Sequence, residues 1–60
     1  MNKQTTNLER YINLEEAAEY LATSKGWIYS NHKHLKIPVY YLGRKLIFKI
    51  SELNNWVMSQ

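Results

Sequence analysis

The feature that most constrains this chain is a gap of only two residues between two segments with helical periodicity. In the first segment, apolar residues recur at i, i+3, i+4 and i+7, namely Leu14, Ala17, Ala18 and Leu21. This spacing predicts a helix over residues 14–21. Ser24 suits the start of a second helix, because its hydroxyl can accept a hydrogen bond from a backbone N–H of the first turn. So short a link between two short helices is typical of a helix-turn-helix unit.

The second segment has an apolar side and a polar side without carboxylates. Ile28 and Leu35 lie within roughly 20° of each other at about 100° per residue, so they define an apolar seam. The remaining surface offers basic, hydroxyl, aromatic and small residues and no carboxylate. The candidate DNA-contacting residues on it are Lys25, Gly26, Trp27, Tyr29, Ser30 and Lys33. The alternative is an ordinary amphipathic helix with a solvated face. For Trp27 we favour a second alternative, in which its ring caps the core.

The end of the second helix is open. Pro38 disfavours the helical conformation in the residue before it, which predicts an end near Lys36. Asn31 and His32 lie near the apolar seam, where each needs a hydrogen-bond partner or costs about 1–3 kcal/mol. A helix that finishes early, leaving residues 32–35 as a turn, is therefore the alternative.

After Pro38 the periodicity changes from about 3.6 to 2. Residues 39–42 and 46–49 are rich in β-branched and aromatic side chains, and they flank a turn over residues 43–45. This pattern predicts a β-hairpin with a glycine-containing turn. Alternation places Tyr40, Leu42, Leu46 and Phe48 towards the core, and Val39, Tyr41, Ile47 and Lys49 outwards.

Two further caps are predicted. Asn13 and Glu16 have the spacing of a capping box at the start of the first helix. Ser51 is placed to cap a third helix over residues 52–58. Residues 1–10 are polar and unpatterned and predict a flexible N-terminal tail, with one domain over residues 11–60.

Positive charge is concentrated in the middle of the chain. The net charge is +3, but residues 23–50 hold six basic residues and no acidic one. Basic residues interleaved with aromatic ones are typical of a nucleic-acid-binding surface. Arg44 and Lys45 stand at the predicted hairpin tip, where arginine suits a narrow minor groove. We therefore expect charge from the second helix and the hairpin tip to converge on one side of the domain.

Several classes of function are disfavoured. The chain has no cysteine, and His32 and His34 at i and i+2 face different sides of a helix, so neither a metal site nor a cofactor is expected. An enzyme is also not expected, because there is no nucleophile–base pair and no phosphate-binding loop. No apolar run approaches the roughly 18 residues that cross a bilayer, so we expect a cytoplasmic protein without membrane contact.

Three runs of sequence resemble one family when taken together and in order. They are I-N-L-E-E-A-A-E-Y-L-A-T-S-K-G-W-I-Y (12–29), I-P-V-Y-Y-L-G-R-K-L-I-F-K (37–49) and S-E-L-N-N-W-V (51–57). The chain resembles the excisionase-type, MerR-like winged helix-turn-helix proteins of phages and other bacterial mobile elements. The resemblance implies a small, mostly helical α+β fold made of a helix-turn-helix, a β-hairpin wing and a C-terminal helix.

The resemblance also implies a function. The second helix would enter the major groove of double-stranded DNA, and the wing tip, with Arg44 and Lys45, would touch the adjacent minor groove or backbone. An excisionase bends DNA at an attachment site and assists a tyrosine integrase in recombination and DNA excision. We expect single copies to bind side by side on DNA rather than as a stable dimer. Two alternatives remain open: a small transcriptional regulator, and a protein-interaction adaptor that uses Tyr41 and Ile47 on the outer face of the hairpin.

Overall fold

Three helices and a three-stranded antiparallel sheet make up residues 9–60, the part of the chain that the computed structural model describes. In chain order they are β1 (Ile12–Asn13), α1 (Leu14–Tyr20), α2 (Lys25–Asn31), β2 (Tyr40–Leu42), β3 (Lys45–Phe48) and α3 (Ile50–Met58). The predicted tail over residues 1–10 lies almost entirely outside the described residues. The predicted α+β class is confirmed, and β1 is a strand that the sequence did not predict.

Both predicted caps of the helix pair are present. The Asn13 side chain accepts from the Glu16 N–H at 2.7 Å, and the Glu16 carboxylate accepts from the Asn13 N–H at 3.0 Å, which completes the capping box. The Ser24 hydroxyl accepts from the Trp27 N–H at 3.1 Å. The prediction of two short helices separated by a tight turn is confirmed.

The turn between α1 and α2 closes without glycine. The N–H of Thr23 donates to the Ala18 carbonyl at 2.8 Å, and the N–H of Ala22 donates to the Glu19 carbonyl at 3.1 Å. This pair of bonds is a Schellman motif, which requires a left-handed residue after the helix. Ala22 occupies that position with a φ of 58°. An alanine therefore adopts the conformation for which glycine is usually chosen.

α2 ends at Asn31, so the predicted end near Lys36 is wrong and the early end is correct. The Asn31 side chain donates to the Trp27 carbonyl at 2.8 Å. The His32 ring lies 3.1 Å from the Tyr29 carbonyl, which a continuing helix would give to the N–H of residue 33. Side chains that compete for backbone acceptors in this way end a helix. A turn over residues 32–36 follows.

The hairpin has a different register from the predicted one. Its connection is two residues long, because Leu42 pairs with Lys45, and Gly43 takes the left-handed φ of 62° that a type II′ turn needs at its first position. Tyr41 therefore pairs with Leu46 and shares its face. The prediction that Tyr40 and Leu42 face the core is wrong, since the two are 37% and 62% exposed. A shift of one residue moves every side chain of a strand to the other face.

α3 begins two residues before the predicted start. Its N-cap is Lys49, which makes no side-chain capping bond, so the prediction that Ser51 caps the helix is wrong. Ser51 lies inside the first turn, where its N–H and its hydroxyl both donate to the carboxylate of Glu9, at 2.9 Å and 2.5 Å. The Glu9 side chain thus accepts from a backbone N–H in the first turn of α3 that has no partner within the helix.

The core lies between the helices and one face of the sheet. Its buried members are Ile12, Ala17, Ala18, Ile28, Ile37, Leu46, Phe48 and Leu53. The small side chains of Ala17 and Ala18 let α2 pack closely on α1, and Ile28 is fully buried there. The Trp56 indole N–H donates to the Leu35 carbonyl at 2.9 Å, which ties α3 to the turn after α2. Within residues 9–60, no helix combines the length and apolar character needed to cross a membrane.

Candidate nucleic-acid interface

A groove of about 420 Å³ runs between α2 and the β2–β3 hairpin. We call it the helix–hairpin groove. Its lining residues are Tyr29, Ser30, His32 and Lys33 from the α2 side, and Tyr41, Arg44 and Leu46 from the hairpin. The two cations come from different parts of the fold, since Arg44 belongs to the hairpin and Lys33 lies in the turn that follows α2. Lys33 and Arg44 thus meet on one side as expected, but the prediction that Lys33 lies on the second helix is wrong.

A second cleft of about 320 Å³ adjoins the first, since both are lined by Tyr29, Arg44 and Leu46. Lys25 and Lys45 line this second cleft, and Glu15 adds one carboxylate. Of the eight predicted site residues, six line one or the other of the two clefts, although Lys45 pairs with Leu42 and so belongs to the outer face of the hairpin. The six are Lys25, Tyr29, Ser30, Lys33, Arg44 and Lys45.

Gly26 and Trp27 line neither cleft. Gly26 is exposed in the first turn of α2, and a Cβ added there would meet nothing within 4 Å, so the fold itself does not demand glycine at this position. Trp27 is 40% exposed and is not a member of the buried core, which contradicts the preferred prediction that it caps the core. Its ring stands about 100° round the helix from the buried Ile28 and is open to an outside partner.

His32 is a site residue that sequence reasoning left without a role. It is buried, with only 5% of its surface exposed, at the bottom of the helix–hairpin groove. Its Nδ1 lies 3.1 Å from the carbonyls of Ile28 and Tyr29, and its Nε2 lies 3.0 Å from the Tyr41 hydroxyl. Because carbonyls only accept, Nδ1 carries the proton and donates, and Nε2 accepts from the hydroxyl. The sequence signal for this contact was a polar residue at a position where the seam calls for an apolar one.

The ring nitrogens of His32 already have partners within the protein, since both are engaged in hydrogen bonds. Across the described residues there is no group of three or more His, Cys, Asp or Glu side chains arranged to hold a metal ion.

The outer face of the sheet carries a separate polar cluster. The Lys49 ammonium lies over the rings of Tyr11 and Tyr40, at 5.1 Å and 5.6 Å from their centroids. The Tyr40 hydroxyl donates to the Glu52 carboxylate at 2.7 Å, and this bond raises the pKa of Tyr40. The hydroxyl and N–H of Ser51 lower the pKa of Glu9. Lys49, although part of the basic block, thus belongs to this face and not to the clefts.

A larger cleft of about 650 Å³ lies along α1 and has the opposite electrostatic character. Glu15, Glu16 and Glu19 line it, with a single cation from Lys25. Carboxylates repel phosphate, so this cleft is less suited to a nucleic-acid backbone than the helix–hairpin groove, although it is larger. The comparisons add no relative to this geometry: the chain matches no protein-family model, no curated protein and no solved structure.

Proposed function

We propose that the protein binds double-stranded DNA as a winged helix-turn-helix module. In this arrangement α2 enters the major groove, and the hairpin is the wing, whose tip at Gly43 and Arg44 reaches the neighbouring minor groove or backbone. The single observation that carries the proposal is that Lys33 of the α2 side and Arg44 of the hairpin line the same groove. Phosphates of one duplex can then contact both elements at once.

The dimensions and chemistry of this surface support the proposal. A major groove about 12 Å wide admits one α-helix, and α2 turns its exposed side away from the fully buried Ile28. Ser30 and Tyr29 supply hydroxyls that can donate to or accept from base edges and phosphates. Lys33 and Lys25 supply positive charge for the backbone. The exposed tip arginine suits the negative potential of a narrow minor groove.

The finer function rests on the family resemblance. We propose an accessory protein of a mobile element, an excisionase that binds and bends attachment-site DNA as side-by-side copies and assists a tyrosine integrase. A transcriptional regulator with the same module is the alternative. Footprinting on the element's own attachment-site DNA, with and without the integrase, separates the two. An excisionase extends the integrase footprint, whereas a regulator protects a promoter and leaves the integrase footprint unchanged.

The adaptor alternative needs a different surface from the one first expected. Tyr41 and Ile47 lie on opposite faces of the hairpin, because Tyr41 pairs with Leu46 and Ile47 with Tyr40. An adaptor would instead use Tyr40 and Leu42, which are exposed on the outer face. In an adaptor, replacing Leu42 with serine should weaken binding to the protein partner. In a DNA-binding protein, the same change should leave the affinity for DNA unchanged.

The test of DNA binding is a salt titration with charge variants. Each phosphate contact contributes about 0.9 to the slope of log affinity against log salt concentration. We expect Lys33→Ala and Arg44→Ala each to weaken binding to all sequences and to reduce that slope by about 1. Lys36→Ala is the matched control, because Lys36 is exposed and lines neither cleft. Binding that does not depend on salt, or an equal effect of all three variants, would overturn the proposal.

A further inference from the structure

We propose that His32 and Tyr41 are positioning residues that hold the wing at a set angle to α2. The inference rests on the proposed DNA binding, and it adds how α2 and the hairpin are held in a fixed relative orientation. It starts from one hydrogen bond, in which the Tyr41 hydroxyl donates to Nε2 of His32 at 3.0 Å.

The hydrogen bonds around His32 direct its ring. With Nδ1 donating to the backbone of α2, only the Nε2 lone pair is left, and it points across the groove towards the hairpin. Burial of the ring restricts it to this orientation. The end of α2 and the second residue of β2 are thereby joined through a fixed acceptor.

Other contacts between α2 and the hairpin are sparse. α2 packs chiefly on α1, and β3 packs chiefly on α1, β1 and β2. The chain between them runs through the turn over residues 32–36 and a stretch without regular structure up to β2. The rings of Tyr29, His32 and Tyr41 follow one another along the helix–hairpin groove, with centroids 6.2 Å apart for the first pair and 6.4 Å apart for the second. The hydrogen bond between Tyr41 and His32 is a direct polar contact between the end of α2 and the wing, and we call it the bridge.

The bridge matters for binding as well as for folding. Without the Tyr41 hydroxyl, Nε2 of the buried His32 loses its partner, which lowers the free energy of unfolding. A duplex must in addition engage α2 and the wing tip together, and ordering a loosened wing on binding reduces affinity. Loss of a neutral hydrogen bond of this kind corresponds to an affinity loss of about three- to tenfold.

The experiment compares two tyrosines that are neighbours in one strand. Tyr41→Phe removes the hydroxyl that bonds to His32, and Tyr40→Phe removes the one that donates to Glu52 on the outer face at 2.7 Å. We expect Tyr41→Phe to weaken DNA binding about three- to tenfold at a temperature where the variant is fully folded, and to lower the melting temperature because Nε2 of His32 loses its partner. Tyr40→Phe should leave the affinity unchanged.

A double-mutant cycle separates positioning from direct contact with DNA. If Tyr41 acts by placing the wing tip, then Tyr41→Phe loses much of its effect in an Arg44→Ala background, because the wing then lacks the arginine contact that it would place. Additive losses would mean that the Tyr41 hydroxyl itself touches DNA, and would overturn the inference. A Tyr41→Phe variant that binds as tightly as the wild type would do the same.

A measurement on the free protein keeps this test apart from that of the proposed function. The ¹⁵N NMR shifts of the His32 ring should report a proton on Nδ1 and an acceptor Nε2, and the Nε2 resonance should move in Tyr41→Phe and stay in Tyr40→Phe. A proton on Nε2 would overturn the bridge even if the protein binds DNA. A wild-type protein with an intact bridge that does not bind DNA would overturn the proposed function, and the positioning role with it.

Discussion

Replacing Ala22 with glycine should stabilise the protein, because this residue holds a left-handed conformation in the turn between α1 and α2. The left-handed region costs a residue with a Cβ about 1–2 kcal/mol. Glycine relieves that strain but loses about 0.5–1 kcal/mol to the greater freedom of the unfolded chain. Taken at the middle of each range, the net gain in the free energy of unfolding is about 0.75 kcal/mol. For a domain of this size that corresponds to a melting temperature about 3–6 °C higher.

The assay is thermal and urea unfolding followed by circular dichroism, with Gly43→Ala as the inverse control. Gly43 also has a left-handed φ, of 62°, and a Cβ there would meet nothing within 4 Å. The control therefore adds backbone strain without a steric clash, and it should lower the melting temperature. If Ala22→Gly left the melting temperature unchanged or lowered it while Gly43→Ala behaved as expected, the strain assigned to the Schellman turn would be refuted.

Two further predictions concern the ends of the chain and the core. Glu9 accepts two bonds from Ser51, which lower its pKa from the ordinary value of 4.5, so its contribution to stability is complete above that pH and is lost as the pH falls below it. Glu9→Gln should therefore lower the melting temperature at pH 7 more than at pH 3, with the exposed Glu19→Gln as control. Phe48 is fully buried in the central strand, and Phe48→Ala should cost about 3–5 kcal/mol, which is comparable to the whole stability of a domain this small. Circular dichroism at 25 °C should show it largely unfolded, and a cooperative transition near that of the wild type would contradict the packing.

The helices and their caps could be predicted because their signals are local. A capping box needs two residues three apart, and Asn13 and Glu16 satisfied it within one turn. The same holds for Ser24. The third helix was placed two residues late because Ser51 looked like a cap, while the carboxylate that serves its first turn comes from Glu9, 42 residues earlier in the chain. No window along the sequence includes both partners.

In the hairpin, a difference of one residue in the length of the turn decides which side chains of β2 face the core. Gly43, Arg44 and Lys45 permit either a two-residue or a three-residue connection, and both are common. The shorter one occurs, and with it Tyr41 rather than Tyr40 turns towards α2. The alternation of the strands was recognised correctly, but the assignment of faces across the hairpin depended on a turn length that alternation does not report.

In the candidate surface, too, the features with a local sequence signal could be predicted and the contacts between elements could not. The outward side of α2 followed from helical periodicity around Ile28, and six of the predicted residues do meet along two adjoining clefts. His32 did not follow, because a pattern of apolar positions treats a histidine at the seam only as a defect. In the structure His32 is buried and has three polar partners. Its Nδ1 bonds to carbonyls of the last turn of α2, and its Nε2 bonds to the hairpin. A buried polar residue at a position where helical periodicity predicts an apolar one departs from the local sequence rules. When all its polar atoms are hydrogen-bonded, the departure indicates a contact between two elements of the fold. In a protein proposed to read DNA with two elements, such a contact is the place to look for what fixes their spacing.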